Sequence, residues 1–305
     1  MPPPPTEDLL ICVACGTQFD LPADSPPNGC RICDDPRQFV PPTGQAWTSL
    51  ARMRGHHTNR WKPVGGADHE DALTSIWTEP KFAIGQRCIL VETGAGNVLW
   101  DCITYLDDDT TAFINSRGGL AAIVISHPHY YTTHLLWADT FDCPVYLAQD
   151  DAPWLNTPDP ARRRRFITTE TAKILDPITA IKLGGHFPGS LVLHWTPPSD
   201  GGGGNNNKLL IADTFVTTPS ALYHIDRPPG TTSYAFMWAI PNMIPLPPAT
   251  LQQMWRRIRA FDFASTHGAF VGQDVRGEGV KGRVLESMKI QTRAMGWEGW
   301  EERWG

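Results

Sequence analysis

The chain has 305 residues, 41% of them hydrophobic and 19% charged, with a formal net charge of −6. That length supports one large domain or two smaller ones with ample core, and the acidic balance argues against a general nucleic-acid or anionic-membrane surface. No apolar run reaches the length of a membrane span, and the start Met1-Pro2-Pro3-Pro4-Pro5 lacks a basic region followed by an apolar one, so a cytoplasmic protein is expected. Seven cysteines are an odd number, and four sit at metal-type spacing, which argues against a disulfide framework and for a reducing compartment.

Pro2 to Pro5 is a stiff lead-in. Cys12-Val13-Ala14-Cys15 and Cys30-Arg31-Ile32-Cys33 follow, with fourteen residues between the inner cysteines. Each Cys-x-x-Cys turns two thiolates inward, and two such turns complete a tetrahedral site. So small a segment cannot bury a sufficient core, so metal would supply its folding energy. Zinc is the expected ion; four thiolates also suit iron. Phe39 to Lys62 reads as a connector, with Arg52, Arg54, His56, His57 and Arg60 as a solvated basic face. His57 and His69 have no partner at metal-ligand spacing and read as surface residues. The domain reading is therefore a module at 1–40, a connector at 41–80 and a main domain at 81–305.

Phe82 to Glu92 reads as a strand, Gly94 to Asn97 as a hairpin turn and Val98 to Cys102 as the returning strand. Asp107 to Ser116 is expected to be a helix stopped at Arg117-Gly118-Gly119. Ala122 to Ile125 reads as a buried strand, and Ser126-His127-Pro128-His129 follows at once. In an extended segment side chains two apart share a side, so the two imidazoles can converge on one metal ion. Tyr131 to Ala138 reads as a helix and Val145 to Ala148 as a strand. Arg162 to Arg165 read as a solvated face. Leu191 to Trp195 and Leu209 to Ala212 read as a hairpin around the flexible tract Gly201–Asn207, with Asp213 at its end. Tyr234 to Ala239 reads as a strand. Pro247-Pro248 opens a helix in which Leu251, Met254, Trp255, Ile258 and Phe261 form the core face. Phe263 to His267 is again a strand ending in a histidine, and Val280 to Met295 is a final helix. The tail carrying Trp297, Trp300 and Trp304 is expected to pack back. Cys88, Cys102 and Cys143 read as core residues.

Ser126-His127-Pro128-His129, Gly185-His186-Phe187-Pro188-Gly189-Ser190, Ala212-Asp213 and Thr266-His267-Gly268 together resemble, in order and spacing, the metallo-β-lactamase superfamily over about residues 80 to 295. The Gly-His-x-Pro-Gly-Ser turn is the most specific piece. The resemblance implies an α/β fold, a four-layer αββα sandwich, and the amino-terminal cysteines resemble a rubredoxin-like or zinc-ribbon module. The superfamily's first motif is His-x-His-x-Asp-His, its first two histidines holding one metal and its Asp-His pair a second. Here those last two positions are Tyr131 and Thr132. The resemblance thus implies a first metal site at His127, His129 and His186, and a second reduced to the bridging carboxylate Asp213 and to His267. His134, two positions past the lost histidine, is either a substitute ligand or a helix-surface or supporting histidine.

The implied activity is that of a hydrolase with at least one zinc at the histidines, most simply mononuclear, on a small ester, thioester, lactone or lactam. Asp213 would be a fourth ligand or the proton acceptor, His267 would steady Asp213 or the developing oxyanion, and Tyr130 or Tyr131 would donate to that oxyanion. Neither nucleic acid nor membrane is an expected partner. The alternatives are a metal-binding protein without turnover, its second site degenerate, and a redox protein with iron at both clusters. The last lacks the carboxylate-rich set of a di-iron centre.

Overall fold

A computed structural model describes residues 6–22, 24–65, 72–198, 206–222, 227–277, 279–300 and 303–304. His69 and most of the Gly201–Asn207 tract lie outside the described residues. The chain forms two compact units, Met1–Phe166 and Ile167–Gly305.

The first unit begins with a three-stranded sheet of β1 (Leu9–Cys12), β2 (Gln18–Pro22) and β3 (Trp47–Thr48), ordered β2-β1-β3. The cysteine module therefore runs past residue 40, because β3 supplies its third strand. After α1 (Leu50–Met53) come β4 (Thr58–Pro63), β5 (Leu73–Glu79), β6 (Cys88–Val91) and β7 (Val98–Trp100). Helix α2 (Asp108–Ser116), β8 (Ala122–Val124), α3 (His134–Thr140), β9 (Val145–Ala148) and β10 (Arg164–Ile167) complete a seven-stranded sheet in the order β10-β9-β8-β7-β6-β5-β4.

Two expectations change here. The stretch 41–80 is no connector, since β4 and β5 form one side of this sheet. Strand β4 is the edge, and it shows one buried residue in six. Edge strands carry charge for good reason, because it blunts pairing with other chains; the Arg60–Glu79 ion pair spans β4 and β5. The strand expected from Phe82 is also shorter. Phe82 to Gly85 is a turn closed by the Gly85 N–H donating to the Phe82 carbonyl at 3.0 Å, with Gly85 at φ +77°.

Strands β6, β7 and β8 are buried along their whole length, which is why they read as continuous apolar runs. Strands β7 and β8 are parallel, joined by α2 as a crossover, and β8 is parallel to β9 across α3. Asp107 caps α2 by accepting from the Thr110 N–H at 2.8 Å, and Gly118 and Gly119 end the segment in the left-handed region.

The second unit holds a six-stranded sheet. Its members are β11 (Thr171–Leu175), β12 (Ile178–Lys182), β13 (Leu191–Trp195) and β14 (Lys208–Ala212), followed after four short strands by the last two. The short ones are β15 (Val216–Thr217), β16 (Tyr234–Ala235), β17 (Met237–Ala239) and β18 (Ile244–Pro245), and the last two are β19 (Ser265–Gly268) and β20 (Asp274–Arg276). The order is β11-β12-β13-β14-β19-β20, antiparallel except for β14 with β19. Helix α4 (Pro248–Ile258) packs against β12 and against α5 (Val280–Ala294). Its buried residues Leu251, Met254, Trp255 and Ile258 follow the i, i+3, i+4, i+7 rule. Trp304 joins this core, whereas Trp297 is exposed. Cys88, Cys102 and Cys143 are buried as expected, and burial pushes Cys143 up to about 12.

Candidate metal centres

The four-cysteine cluster is local. The N–H of Gly16, at φ +78°, donates to the Cys12 carbonyl at 2.8 Å and closes the first turn, and the Asp34 N–H donates to the Cys30 carbonyl at 2.8 Å in the second. The four ligand atoms lie within 4.8 Å of one another, with Cys12 to Cys33 and Cys15 to Cys30 each at 3.6 Å between sulfurs. Tetrahedral zinc at about 2.3 Å from each thiolate requires sulfurs roughly 3.8 Å apart, so the set fits a structural ion. Hydrogen bonding from Cys15 and its neighbours holds the Cys12 thiol well below its ordinary range; burial pushes Cys15 up, and hydrogen bonding with Cys12 pushes Cys33 up. Crowded thiols that cannot all ionise together are what a divalent cation relieves. Gln45 Nε2 donates to Cys12 Sγ at 2.9 Å.

The histidine cluster begins at the end of β8. The Ser126 N–H donates to Asp101 Oδ1 at 2.7 Å, and the Asp101 N–H donates to the Val124 carbonyl at 2.8 Å. Asp101 is 2% exposed and sits at φ +62°, a conformation that aspartate tolerates better than most residues. It pins the residue just before the first histidine. Sequence reasoning missed it, because a lone acid after an apolar run carries no signal of its carboxylate's destination.

His127 is extended (φ −170°), but Pro128–Tyr130 is a single 3₁₀ turn rather than continuing strand. The two imidazoles are nevertheless brought together, with ring centroids 4.9 Å apart. Ser126 Oγ lies 2.8 Å from His127 Nδ1.

In the second unit Ser190 closes the glycine turn. Its carbonyl accepts from Leu183 and Gly184 at 2.9 and 3.1 Å, and its hydroxyl accepts from the Phe187 N–H at 2.8 Å. Gly185 needs to be glycine: it sits at φ +91°, and a Cβ there would lie 2.9 Å from Leu246 Cδ1 and from Met254 Sδ. His186 is fully buried and its Nδ1 faces the Met237 carbonyl at 3.2 Å, which assigns the proton to Nδ1 and the lone pair to Nε2. Asp213 follows β14, where the pairing register shifts between Leu210 and Ala212 and Ala212 takes φ +46°. Such an irregularity at a strand end re-aims the next side chain.

One ligand atom each from His127, His129, His186 and Asp213 lies within 4.8 Å of the others, and all four residues are buried. Three imidazoles and one carboxylate make a donor set that suits zinc. Among the described residues, this cluster and the four cysteines are the groups so arranged.

The remaining expected site residues lie otherwise. His267 is fully buried on β19, with Ser265 Oγ 3.0 Å from its Nε2 and Asp274 Oδ1 2.9 Å from its Nδ1. Ser265 is two positions back on the same strand face and Asp274 lies directly across on β20, so both ring nitrogens are engaged by neighbours. Tyr131 does not aim its hydroxyl as an oxyanion donor: it donates to the Asp151 carbonyl at 3.1 Å, and burial pushes its phenol well above the ordinary range. The 3₁₀ turn breaks the two-residue alternation that would have aligned it with His129. His134 is not a substitute ligand. Its Nδ1 donates to the Tyr131 carbonyl at 2.6 Å and its Nε2 accepts from Arg164 Nε at 2.9 Å. Arg164, expected on a solvated face, also donates to the Thr157 carbonyl at 2.8 Å and to Thr157 Oγ1 at 2.9 Å. Arg163 pairs with Asp139 and Asp142.

No protein-family model matches the chain. Among solved structures, the crystal structure of DIM-1 metallo-β-lactamase is similar over 77% of this chain and 98% of that one, with 12% identity and a TM-score of 0.51. FIM-1 from Pseudomonas aeruginosa in its mono-zinc form is similar over 77% and 96%, with 14% identity and a TM-score of 0.49. The chain has the metallo-β-lactamase fold expected from its motifs, carrying a zinc-ribbon-like four-cysteine module at its amino end. The chain belongs to the family of the uncharacterized protein YmaE of Bacillus subtilis (strain 168), with 39% identity over 262 residues, 85% of this chain and 88% of that protein.

Proposed function

We propose that the protein is a metal-dependent hydrolase with one zinc at His127, His129, His186 and Asp213, acting on a small ester, thioester, lactone or lactam. The observation that carries this reading is the buried convergence of three imidazoles and one carboxylate within 4.8 Å. Zinc held there would act as a Lewis acid on a carbonyl oxygen and activate water near neutral pH. The Met237 carbonyl fixes the tautomer and orientation of His186, as the outer partner of a ligating histidine does. Asp213 is the one acid among the four donors, and its carboxylate is the group able to accept the proton of an attacking water. A single metal is supported by the engagement of the second-site positions elsewhere: the Tyr131 hydroxyl on Asp151, the Thr132 carbonyl on the Gln18 N–H, and both His267 nitrogens on Ser265 and Asp274. Two-metal clamping of a phosphoryl group is therefore the less suited chemistry, and an acyl substrate the better one.

The test combines elemental analysis with a hydrolysis panel. Two zinc ions per chain are expected, one at each cluster. Turnover of an ester or lactone should fall below detection in His127→Ala and His186→Ala, each retaining the cysteine-bound ion. Stoichiometric metal at the histidines without turnover across the panel would overturn the hydrolase and leave a metal-binding protein.

A further inference from the structure

The two cysteine turns each reach the loop that carries His127 and His129, by separate routes. From the first turn, the Gly16 carbonyl accepts from Thr104 Oγ1 at 3.0 Å, and the Gln18 N–H donates to the Thr132 carbonyl at 3.1 Å. Thr133 Oγ1 donates to the Thr104 carbonyl at 2.7 Å, closing the link. From the second turn, Arg31 donates to the Pro153 carbonyl and, at 3.5 Å, to that of Leu155. Trp154 Nε1 donates to Asp35 Oδ2 at 3.2 Å, and the Arg37 guanidinium lies 5.7 Å over the Trp154 ring. The same segment supplies the Asp151 carbonyl that accepts from the Tyr131 hydroxyl.

Tyr131 and Thr132, two and three residues past His129, are therefore anchored to different cysteine turns. Both are 3% exposed, and Thr132 sits at φ +33°, which a β-branched residue adopts only where its surroundings hold it. The contact has no room to slip: a Cβ on Gly16 would lie 2.1 Å from Thr104 Oγ1.

We propose that the four-cysteine module is a brace for the His127–His129 loop, so that metal bound by the cysteines strengthens metal binding at the histidines. A module this small depends on its ion for structure, so its hold on Thr132 and on residues 151–155 depends on that ion as well. By linkage the effect runs both ways, and couplings of this kind amount to about 5- to 150-fold in affinity. The inference rests on the histidines being a metal site and makes no use of turnover.

Cobalt(II) titration of the full-length protein tests it, because thiolate-bound cobalt has intense near-ultraviolet bands that imidazole-bound cobalt lacks. In Cys30→Ser/Cys33→Ser, cobalt affinity at the histidines should fall about tenfold or more. In Gly16→Ala, which keeps all four thiols, a fall of roughly fivefold is expected. Tyr131→Phe, which removes one anchor and leaves the module intact, should fall between parent and Gly16→Ala. Amides of residues 126–133 should exchange faster in each variant, while those of residues 191–195 keep their protection and exclude general unfolding. Histidine-site affinity within twofold of the parent in Gly16→Ala and Tyr131→Phe would overturn the brace, even if the double serine variant fails to fold. A protein that binds metal but hydrolyses nothing would sink the hydrolase and leave the brace standing.

Discussion

The two clusters are built on opposite plans. The cysteine cluster takes its four donors from two short turns, Cys12–Cys15 and Cys30–Cys33, in a three-stranded scrap of sheet. The histidine cluster takes its donors from positions 127 to 213, each at the end of a strand or in a closed turn of a large sheet. Donors of the first kind would depend on an ion for their positions; donors of the second kind are set mainly by the fold. The difference lies in the amount of core behind each donor: strands β8, β13 and β14 are buried throughout, whereas the cysteine turns pack in a small cluster with Leu10, Phe19 and Ile32, edged by Trp47 and Trp154.

Metal removal breaks this contrast most severely. Structural zinc in small modules is worth about 10–16 kcal/mol, and that energy is folding energy. Chelation should therefore abolish amide protection over residues 9–22 and leave it over residues 145–148 and 191–195, read by hydrogen exchange. Equal loss in both regions would mean that the histidine cluster is also folded by its ion.

The same contrast explains how much was legible in the sequence. Cys-x-x-Cys twice, His-x-His after an apolar run and a glycine turn around His186 are contiguous patterns, and each locates donors without any knowledge of what packs beside them. The fold class follows from the family that their order and spacing resemble. What stayed hidden is non-local. Strand β4, with Arg60 and Lys62 on an exposed edge, looks like a polar linker because edges are supposed to be polar. The aim of Tyr131 depends on one 3₁₀ turn, and the occupation of His134 depends on Arg164, thirty positions away. Asp101 is silent for the same reason.

His134 provides the next test. Burial, reinforced by Arg164, lowers its pKa from 6.5 to about 3. Because the folded pKa is depressed, the folded state stays neutral while the unfolded chain takes up a proton below about pH 6.5. The stabilisation is thus complete above that pH and is lost as pH falls toward 3, at about 1.4 kcal/mol per unit. The measurement is the urea midpoint from pH 7 to 5 in the parent and in His134→Asn, whose amide can still reach the Tyr131 carbonyl. The parent should lose about 2 kcal/mol more than the variant over that range. Parallel curves would show that this histidine is not held neutral, and that the support behind the ligand loop is softer than its burial indicates.

Asp101→Ala asks whether the histidine loop is held by the fold at all. The substitution leaves the Ser126 N–H buried without its acceptor and places alanine at φ +62°. A cost of about 2–3 kcal/mol is expected from the stranded donor and the backbone strain together. Asp101→Asn, which keeps an acceptor oxygen and tolerates that conformation, should recover at least half. If both variants unfold like the parent in urea, Asp101 is not the anchor of that loop.

The last pair of substitutions separates the two sites at the level of one hydrogen bond each. Ser126 Oγ lies 2.8 Å from His127 Nδ1, and Gln45 Nε2 donates to Cys12 Sγ at 2.9 Å. In Ser126→Ala the imidazole loses one of the partners that orient it, so its lone pair is held less firmly toward an ion. Outer partners of ligating histidines are worth about 10- to 100-fold in metal affinity. In Gln45→Leu the thiolate loses a weak donor, but its position is still set by three other sulfurs around the same ion, so a change of less than about tenfold is expected. Both are read by chelator competition on the zinc-loaded protein. A larger loss at the cysteines than at the histidines would reverse the ranking. It would mean that the cysteine site depends on its surroundings more than the histidine site does, and that an ion is not what holds the cysteine turns together.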